Sequence, residues 1–444
     1  MNASEFLTIA LEEWQLLVLL VFLSSAFLWF CVHRLLIAGI FDPFALAYVL
    51  GFGIKYGIVA FLYIGGLISG YLAGIILVFG ALFLACFNYF SRKRSNRLLT
   101  SVIVGITAKG MGRGVLQATI LLYLIISAYI IFSVGFGIFA VTNRFDAARG
   151  FGAYIRVLDL ISPFLVAYGS LKIASSSKGR GYKVMLLGIF IVFAALLNGA
   201  KISILFSLLV SFFALKLAGY KLKIGLGKLI GVGVLGGGFL FAALSINLDR
   251  NNVTAGDIVT DISGVGLVVE RFVYRMIANG NTSYLILPNG VIDRLETDNI
   301  AARFVVPFIG ITGSSRLFGY DTGRYSVGRQ ALLYYNPWSE VAGGPTSKFD
   351  MFAYVYLGPI GGAVFVLLLA SLLGTIGALI KSQRINGSSH GNDFRIAFLA
   401  ALWSRSILMI IEPATGFAYI VDAVLLFGVL SHIASLGRRN LSRL

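Results

Sequence analysis

The amino-acid sequence predicts an all-α polytopic membrane protein, and three observations carry that prediction. Of 444 residues, 58% are hydrophobic and 12% charged, whereas a soluble domain carries about 25% charged residues. Mean hydropathy is +0.90. Apolar runs near the length of about 20 residues needed to cross a bilayer as a helix recur along the chain. Fifty-two glycines against eight prolines fit transmembrane helices and exclude a collagen-like or disordered chain.

The elements follow in order. MNASEFLTIALEEW has no basic stretch ahead of its first apolar run and carries Glu5, Glu12 and Glu13, so that run is expected to be retained rather than cleaved. Spans are expected near 14–32, 44–64, 70–90, 115–140, 157–174, 184–199, 202–219, 229–246, 351–379, 396–411 and 417–436, about eleven in all. The stretch from 35 to 66 is the least regular, because Pro43, several glycines and Lys55 interrupt it. Three parts result: 1–246 with eight helices, a large loop 247–350, and 351–444 with three more helices and a tail.

Charge orients the bundle. SRKRSNR (91–97), SSSKGRGYK (175–183), KLAGYKLKIGLGK (216–228), KSQR (381–384) and the tail GRRNLSRL all fall on one face, which the positive-inside rule makes cytoplasmic. The N-terminus is then periplasmic and the C-terminus cytoplasmic. The formal charge of +17 is accounted for by lipid headgroups and gives no reason to expect nucleic acid. Cys31 and Cys86 both lie in apolar runs and read as small core residues.

With the faces assigned, the cytoplasmic side holds eleven Arg and ten Lys, whereas the outer side holds eleven Arg against only Lys201 and Lys348. Either cation satisfies a lipid headgroup, but the planar guanidinium fork suits bidentate grip on phosphate or carboxylate. Pairing with loop carboxylates such as Asp298, Asp321 and Glu340 is the competing explanation.

The loop of about 104 residues is too long for a simple connector, and such loops are usually functional. Within GLVVERFVYRMIA, Arg271 and Arg275 stand one helical turn apart, a spacing that suits adjacent phosphates of a diphosphate. An ordinary solvated helix explains the same spacing. Further along, Tyr320, Tyr325, Tyr334, Tyr335 and Trp338 offer flat faces to sugars, with Asn336, Asp321 and Glu340 as hydroxyl partners and Arg329 as a further cation. Aromatics beside a bilayer are also common interface anchors. A second outer loop, NRFDAARGFGAYIR, adds Arg144, Arg149 and Arg156 against one Asp146.

Ionisable residues inside spans cost about 2.5–3.5 kcal/mol on insertion scales and so draw notice. Lys55, Asp159, Arg405, Glu412 and Asp422 are of this kind; Lys55, Arg405 and Asp422 are expected to face the bundle interior, and capping or snorkelling suffices for Asp159 and Glu412. No His cluster, thiolate pair or phosphate-binding loop motif is present, so neither metal nor cofactor is expected.

Over roughly residues 140–435 the order of these features resembles the O-antigen polymerase family of bacterial surface polysaccharide synthesis. The resemblance rests on the Arg-bearing loop 143–156, the paired short spans around LLNGAKISILFSLLVSFFALKL, the Arg-rich loop with VERFVYR, SKFDMFAYVYLGPIGG leading into a span, and SILMIIEPATGF. It implies a GT-C-like glycosyltransferase of the inner membrane that joins undecaprenyl-diphosphate-linked oligosaccharides at the periplasmic face, without nucleotide sugar, and a chain-length regulator as the partner expected of the family. Arg144, Arg149, Arg271 and Arg275 would then contact diphosphate or glycan, with Lys201 as a supporting cation.

One departure matters. The related O-antigen ligases, and many polymerases, place a His just before the span that here begins FDMFAYVYLG, whereas His33, His390 and His432 all map to the cytoplasmic side. A carboxylate must then serve as base, with Asp350 expected at the membrane surface and ranked ahead of Glu340 and Asp321, or leaving-group departure dominates. General-base help is worth about 10² to 10⁴ in rate. An O-antigen ligase is the alternative within the class, and a lipid-linked oligosaccharide flippase the alternative outside it, although no internal repeat is evident.

Overall fold

The computed structural model describes residues 1, 3–93, 97–107, 112–135, 150–176, 178–198, 202–221, 238, 282–338, 344–383 and 392–441. Helices account for the regular structure, and no strand occurs among the described residues. In chain order they are α1 Ala3–Glu12, α2 Trp14–Val32, α3 Ala45–Ile64, α4 Gly70–Arg92, α5 Arg97–Ile106, α6 Gly112–Ser133, α7 Gly152–Ser175, α8 Arg180–Asn198, α9 Ile202–Leu217, α10 Ile300–Phe318, α11 Val327–Tyr335, α12 Lys348–Ser382, α13 Asp393–Ser406 and α14 Pro413–Leu441.

Eight of these, α2, α3, α4, α6, α7, α8, α12 and α14, are long and apolar enough to cross a membrane. The sequence led us to expect eleven spans. Of the other three, the one near 229–246 lies, apart from Gly238, outside the described residues, and α9 and α13 are shorter than that length. The protein is an all-α multi-pass membrane protein.

The irregular stretch 35–66 resolves into a short 3-10 turn at Gly39–Phe41, a π-helical turn over Ala45–Leu50 and a regular helix from Gly51. Buried Asp42 organises it by accepting the N–H groups of Ile37 and Phe44 and the indole N–H of Trp403 on α13 at 2.8 Å. Each bond satisfies a donor that hydrocarbon would leave unpaired at a cost of several kcal/mol.

Small residues set the close packing. Gly53 and Gly57 lie one turn apart on α3, and a Cβ at either would stand 2.0 Å from Ser25 Oγ or 2.6 Å from Val21 Cα on α2. Without a hydrophobic drive between lipid-solvated helices, such backbone approach supplies the van der Waals contact that holds them. Gly362 meets the Phe79 ring and Gly374 the Cβ of Phe90 in the same way, which seats α12 along α4.

The element α12 is a hairpin rather than a rod. Gly358 has φ 65° and ψ −169°, and Pro359 follows it. Phe352 and Phe365 would lie about 20 Å apart along a straight helix at 1.5 Å per residue, yet their ring centroids are 5.6 Å apart. The Ala353 carbonyl likewise reaches within 3.0 Å of a Cβ placed on Gly362. A first arm, residues 348–357, therefore runs antiparallel to a second, membrane-length arm that starts at Pro359. The N-terminus of the first arm lies about 15 Å down from the turn, alongside α3 and α4.

Helix α10 carries a comparable break at Gly310, with φ 75° and ψ 170°. It lies across the tops of α7, α12 and α14, with Phe304 against Phe352, Phe365 and Phe417, and the Arg156 guanidinium over the Phe308 ring.

Candidate functional site

Two groups of charged residues frame the α12 hairpin, one at its foot and one in a helical cap above it. At the foot, the N-terminus of α12 is buried, so its free backbone N–H groups need partners other than water. The Ser347 N–H donates to Glu412 Oε1 at 2.9 Å, and the Lys348 N–H to the Ile411 carbonyl at 3.0 Å. Lys348 holds φ 55°, a left-handed conformation rare for a residue with a side chain, and its Nζ donates to the Gly51 carbonyl at 3.0 Å. Lys55 of α3 donates to Asp350 Oδ1, both side chains being fully enclosed, and the Tyr56 hydroxyl stands 3.5 Å from Oδ2.

Asp350 thus lies at the inner end of the short arm, fully buried against Lys55 of α3, whereas the sequence led us to expect it at the membrane surface. Its carboxylate also accepts the Met351 N–H at 2.9 Å. As an ionised acceptor already engaged by an ammonium and an amide, it reaches an acceptor hydroxyl only after the pair with Lys55 opens.

The cap comprises residues 282–338. Its centre is the Asp298 carboxylate, which receives Arg303 Nη2 at 2.5 Å, the Tyr320 hydroxyl at 3.0 Å and the Tyr356 hydroxyl at 3.2 Å. The same Arg303 nitrogen reaches the Thr322 carbonyl at 2.6 Å, tying the turn after α10 to its first half. The Tyr354 hydroxyl donates to Asp293 at 2.8 Å, so two tyrosines of FAYVYLG fasten the cap to the short arm. Sequence reasoning did not single out Tyr354 or Tyr356; their i, i+2 spacing in an apolar run was the available signal.

Arg324 meets Glu296 at the exposed rim, Arg294 donates to the Tyr334 hydroxyl at 2.8 Å, and Gln330 exchanges two hydrogen bonds with the Glu296 backbone. Exposed Asp321 accepts the Gly323 N–H at 2.9 Å in a turn whose Thr322 is buried. Arg329, on α11, has a buried Nε with no hydrogen-bond partner. Tyr335 receives the Met1 amino group, and burial, with the neighbouring Tyr334 and Glu5 adding to it, pushes its phenol up to about 12.

Beneath α10 Arg156 pairs with Asp422, and Arg405 lies 3.7 Å from Asp159, which also accepts the Tyr419 hydroxyl at 3.1 Å. Three outer arginines, Arg156, Arg303 and Arg324, therefore have carboxylate partners, as the pairing explanation expects; Arg316 and Arg329 make no ion pair among the described residues. Arg144, Arg149, Lys201, Arg271, Arg275 and Glu340 lie outside the described residues. Comparison of the chain with protein-family models, curated proteins and solved structures finds no match.

Proposed function

We propose that this protein is a polysaccharide polymerase that joins undecaprenyl-diphosphate-linked oligosaccharide repeat units at the periplasmic face of the inner membrane. The observation that carries the reading is a cap rich in Arg, Tyr and carboxylate seated on the short arm FDMFAYVYLG through Tyr354–Asp293 and Tyr356–Asp298. Planar aromatics and hydroxyl-binding carboxylates suit a glycan, and the bilayer beneath suits its lipid carrier.

In the proposed reaction the terminal-sugar hydroxyl oxygen of one lipid-linked unit attacks the anomeric carbon of another. The glycosidic bond forms as the bond to the diphosphate breaks, the diphosphate leaves with the electron pair, and the hydroxyl proton passes to a carboxylate. Fixed guanidinium groups stabilise the charge developing on the leaving group. Arg271 and Arg275, with Arg144, Arg149 and Lys201, carry that role by the family resemblance. Among described carboxylates, exposed Asp321 is open to an acceptor hydroxyl, whereas Asp350 is held by Lys55.

One observation favours a second reading, transport of the lipid-linked oligosaccharide: a broken helix ending on buried charges deep in the bundle is a transporter feature. The lipid-linked intermediates that accumulate on deletion separate the readings. Carrier with one repeat unit on the outer leaflet supports polymerase, the same species confined to the cytoplasmic leaflet supports a flippase, and long lipid-linked polymer supports a ligase.

A further inference from the structure

A cavity of about 880 Å³ opens on the side of the bundle between α2 and α4, with Tyr56 of α3 at its back. Its volume is at the upper end of the range of about 300–1,000 Å³ typical of ligand pockets. Its walls are apolar for most of their length, as at Phe27, Leu28, Leu84 and Ala85, with Ser24 and Tyr56 as polar exceptions, and its charged residues lie at one end, where Asn88, Tyr89, Arg92 and Lys93 follow one another along the last turns of α4.

That end lies far from the cap. Tyr71, at the start of α4, stands beside Tyr354, which binds the cap residue Asp293, and Arg92 is about 32 Å further along the helix. From Leu77 to Lys93 the groove runs about 24 Å, close to one leaflet with its headgroups at about 20–22 Å.

The charges at the open end have no counter-ion among the described residues. Arg92 and Lys93 are exposed and make no ion pair among the described residues, and Lys93 folds its ammonium 4.2 Å over the Tyr89 ring instead. The C-terminus of α4 favours cations there but does not neutralise them.

We infer that this groove is a binding site for an anionic phospholipid of the leaflet opposite the cap, with an acyl chain lying between α2 and α4 and the phosphate against Arg92 and Lys93. The length of the apolar wall, the single charged end and the absence of counter-ions among the described residues together select that occupant. The inference stands apart from the proposed polymerase activity, whose lipid diphosphate would lie at the other end of α4.

Cys31 lines the groove and gives a native reporter. In full-length detergent-solubilised protein carrying Cys86→Ser, the rate of Cys31 alkylation by N-ethylmaleimide is measured with added phosphatidylglycerol or phosphatidylcholine. Phosphatidylglycerol should slow alkylation more than phosphatidylcholine, and R92Q/K93Q should reduce that preference by about fivefold for each cation lost. Ala85→Trp, which fills the groove, should remove the response to lipid while leaving the bundle folded. Equal slowing by both lipids in protein retaining Arg92 and Lys93, or a lipid response that survives Ala85→Trp, would overturn the inference.

Discussion

The Lys55 ammonium of α3 and the Asp350 carboxylate of α12 form an ion pair in which neither side chain is exposed. It joins the second membrane span to a hairpin arm 295 residues later in the chain. Removing two charges from water costs more than their attraction returns unless further hydrogen bonds complete the set. Here the Met351 N–H supplies one and the Tyr56 hydroxyl approaches from the other side.

Truncating either partner alone should therefore be severe. Lys55→Ala and Asp350→Ala are each expected to destabilise the protein by about 3–5 kcal/mol, because each leaves an uncompensated buried charge. The double variant Lys55→Met/Asp350→Leu should recover most of the loss. Thermal unfolding in detergent checks this, and a double variant no more stable than the singles would contradict a simple charge-pairing role. If the double variant folds but yields no polymer, the pair has a part in the reaction as well.

The hairpin turn gives a second prediction, in which two glycines of one motif fail for different reasons. A Cβ at Gly358 meets nothing within 4 Å, so Gly358→Ala should cost only backbone strain, about 1–3 kcal/mol, from its φ of 65° and extended ψ. At Gly362 the backbone is ordinary helix, but a Cβ would stand 2.7 Å from the Phe79 ring, so Gly362→Ala forces α4 and α12 apart. Substituting Phe79→Leu alongside should rescue Gly362→Ala in part, the Ala353 carbonyl 3.0 Å from the new Cβ remaining, and leave Gly358→Ala unchanged in the same unfolding assay.

These elements mark where the sequence was legible and where it was not. The long apolar runs define the membrane-crossing helices because helix length against bilayer thickness is a strong constraint. The hairpin was missed: 351–379 reads as one span because every residue around the break is apolar, and only the Gly358-Pro359 pair signals it. The interior ionisable residues were legible as a set but not their partners, since Lys55 with Asp350, Arg405 with Asp159 and Asp422 with Arg156 each join distant segments. Helix α10 falls inside the large loop 247–350, where the sequence offers no reason to place a span; Pro307, Gly310 and Gly313 lower its helix propensity, and packing of Phe304 against three other phenylalanines offsets that.

Asp298 should be the residue on which the cap depends. It receives three side chains, and Arg303, 8% exposed, would be left without its counter-charge by Asp298→Ala. A loss of about 2–4 kcal/mol in cap stability is expected, because the buried Arg303 guanidinium loses its counter-charge and the Tyr320 hydroxyl its acceptor, while the Tyr356 hydroxyl keeps its bond to the Tyr325 carbonyl. Limited proteolysis should then cut within 282–338 while the α2 to α4 bundle stays intact. Asp298→Asn, which keeps the shape and an acceptor, should be milder.

The last prediction bears on the chemistry proposed for the outer loops. Arg271→Ala and Arg275→Ala should each shorten or abolish the polysaccharide ladder on a gel while leaving lipid capped with a single repeat unit intact, since chain extension and not the supply of units is lost. Lysine at either position should rescue poorly, because one ammonium cannot make the two parallel bonds that a guanidinium offers a phosphate. Arg324→Ala serves as the control: its guanidinium is exposed and paired with Glu296 at the rim, and such pairs are worth at most about 1 kcal/mol. Full-length ladders from normally expressed Arg271→Ala and Arg275→Ala protein would remove the guanidinium groups from the mechanism, whereas equal loss in Arg324→Ala would mean that the outer region tolerates no change of charge at all.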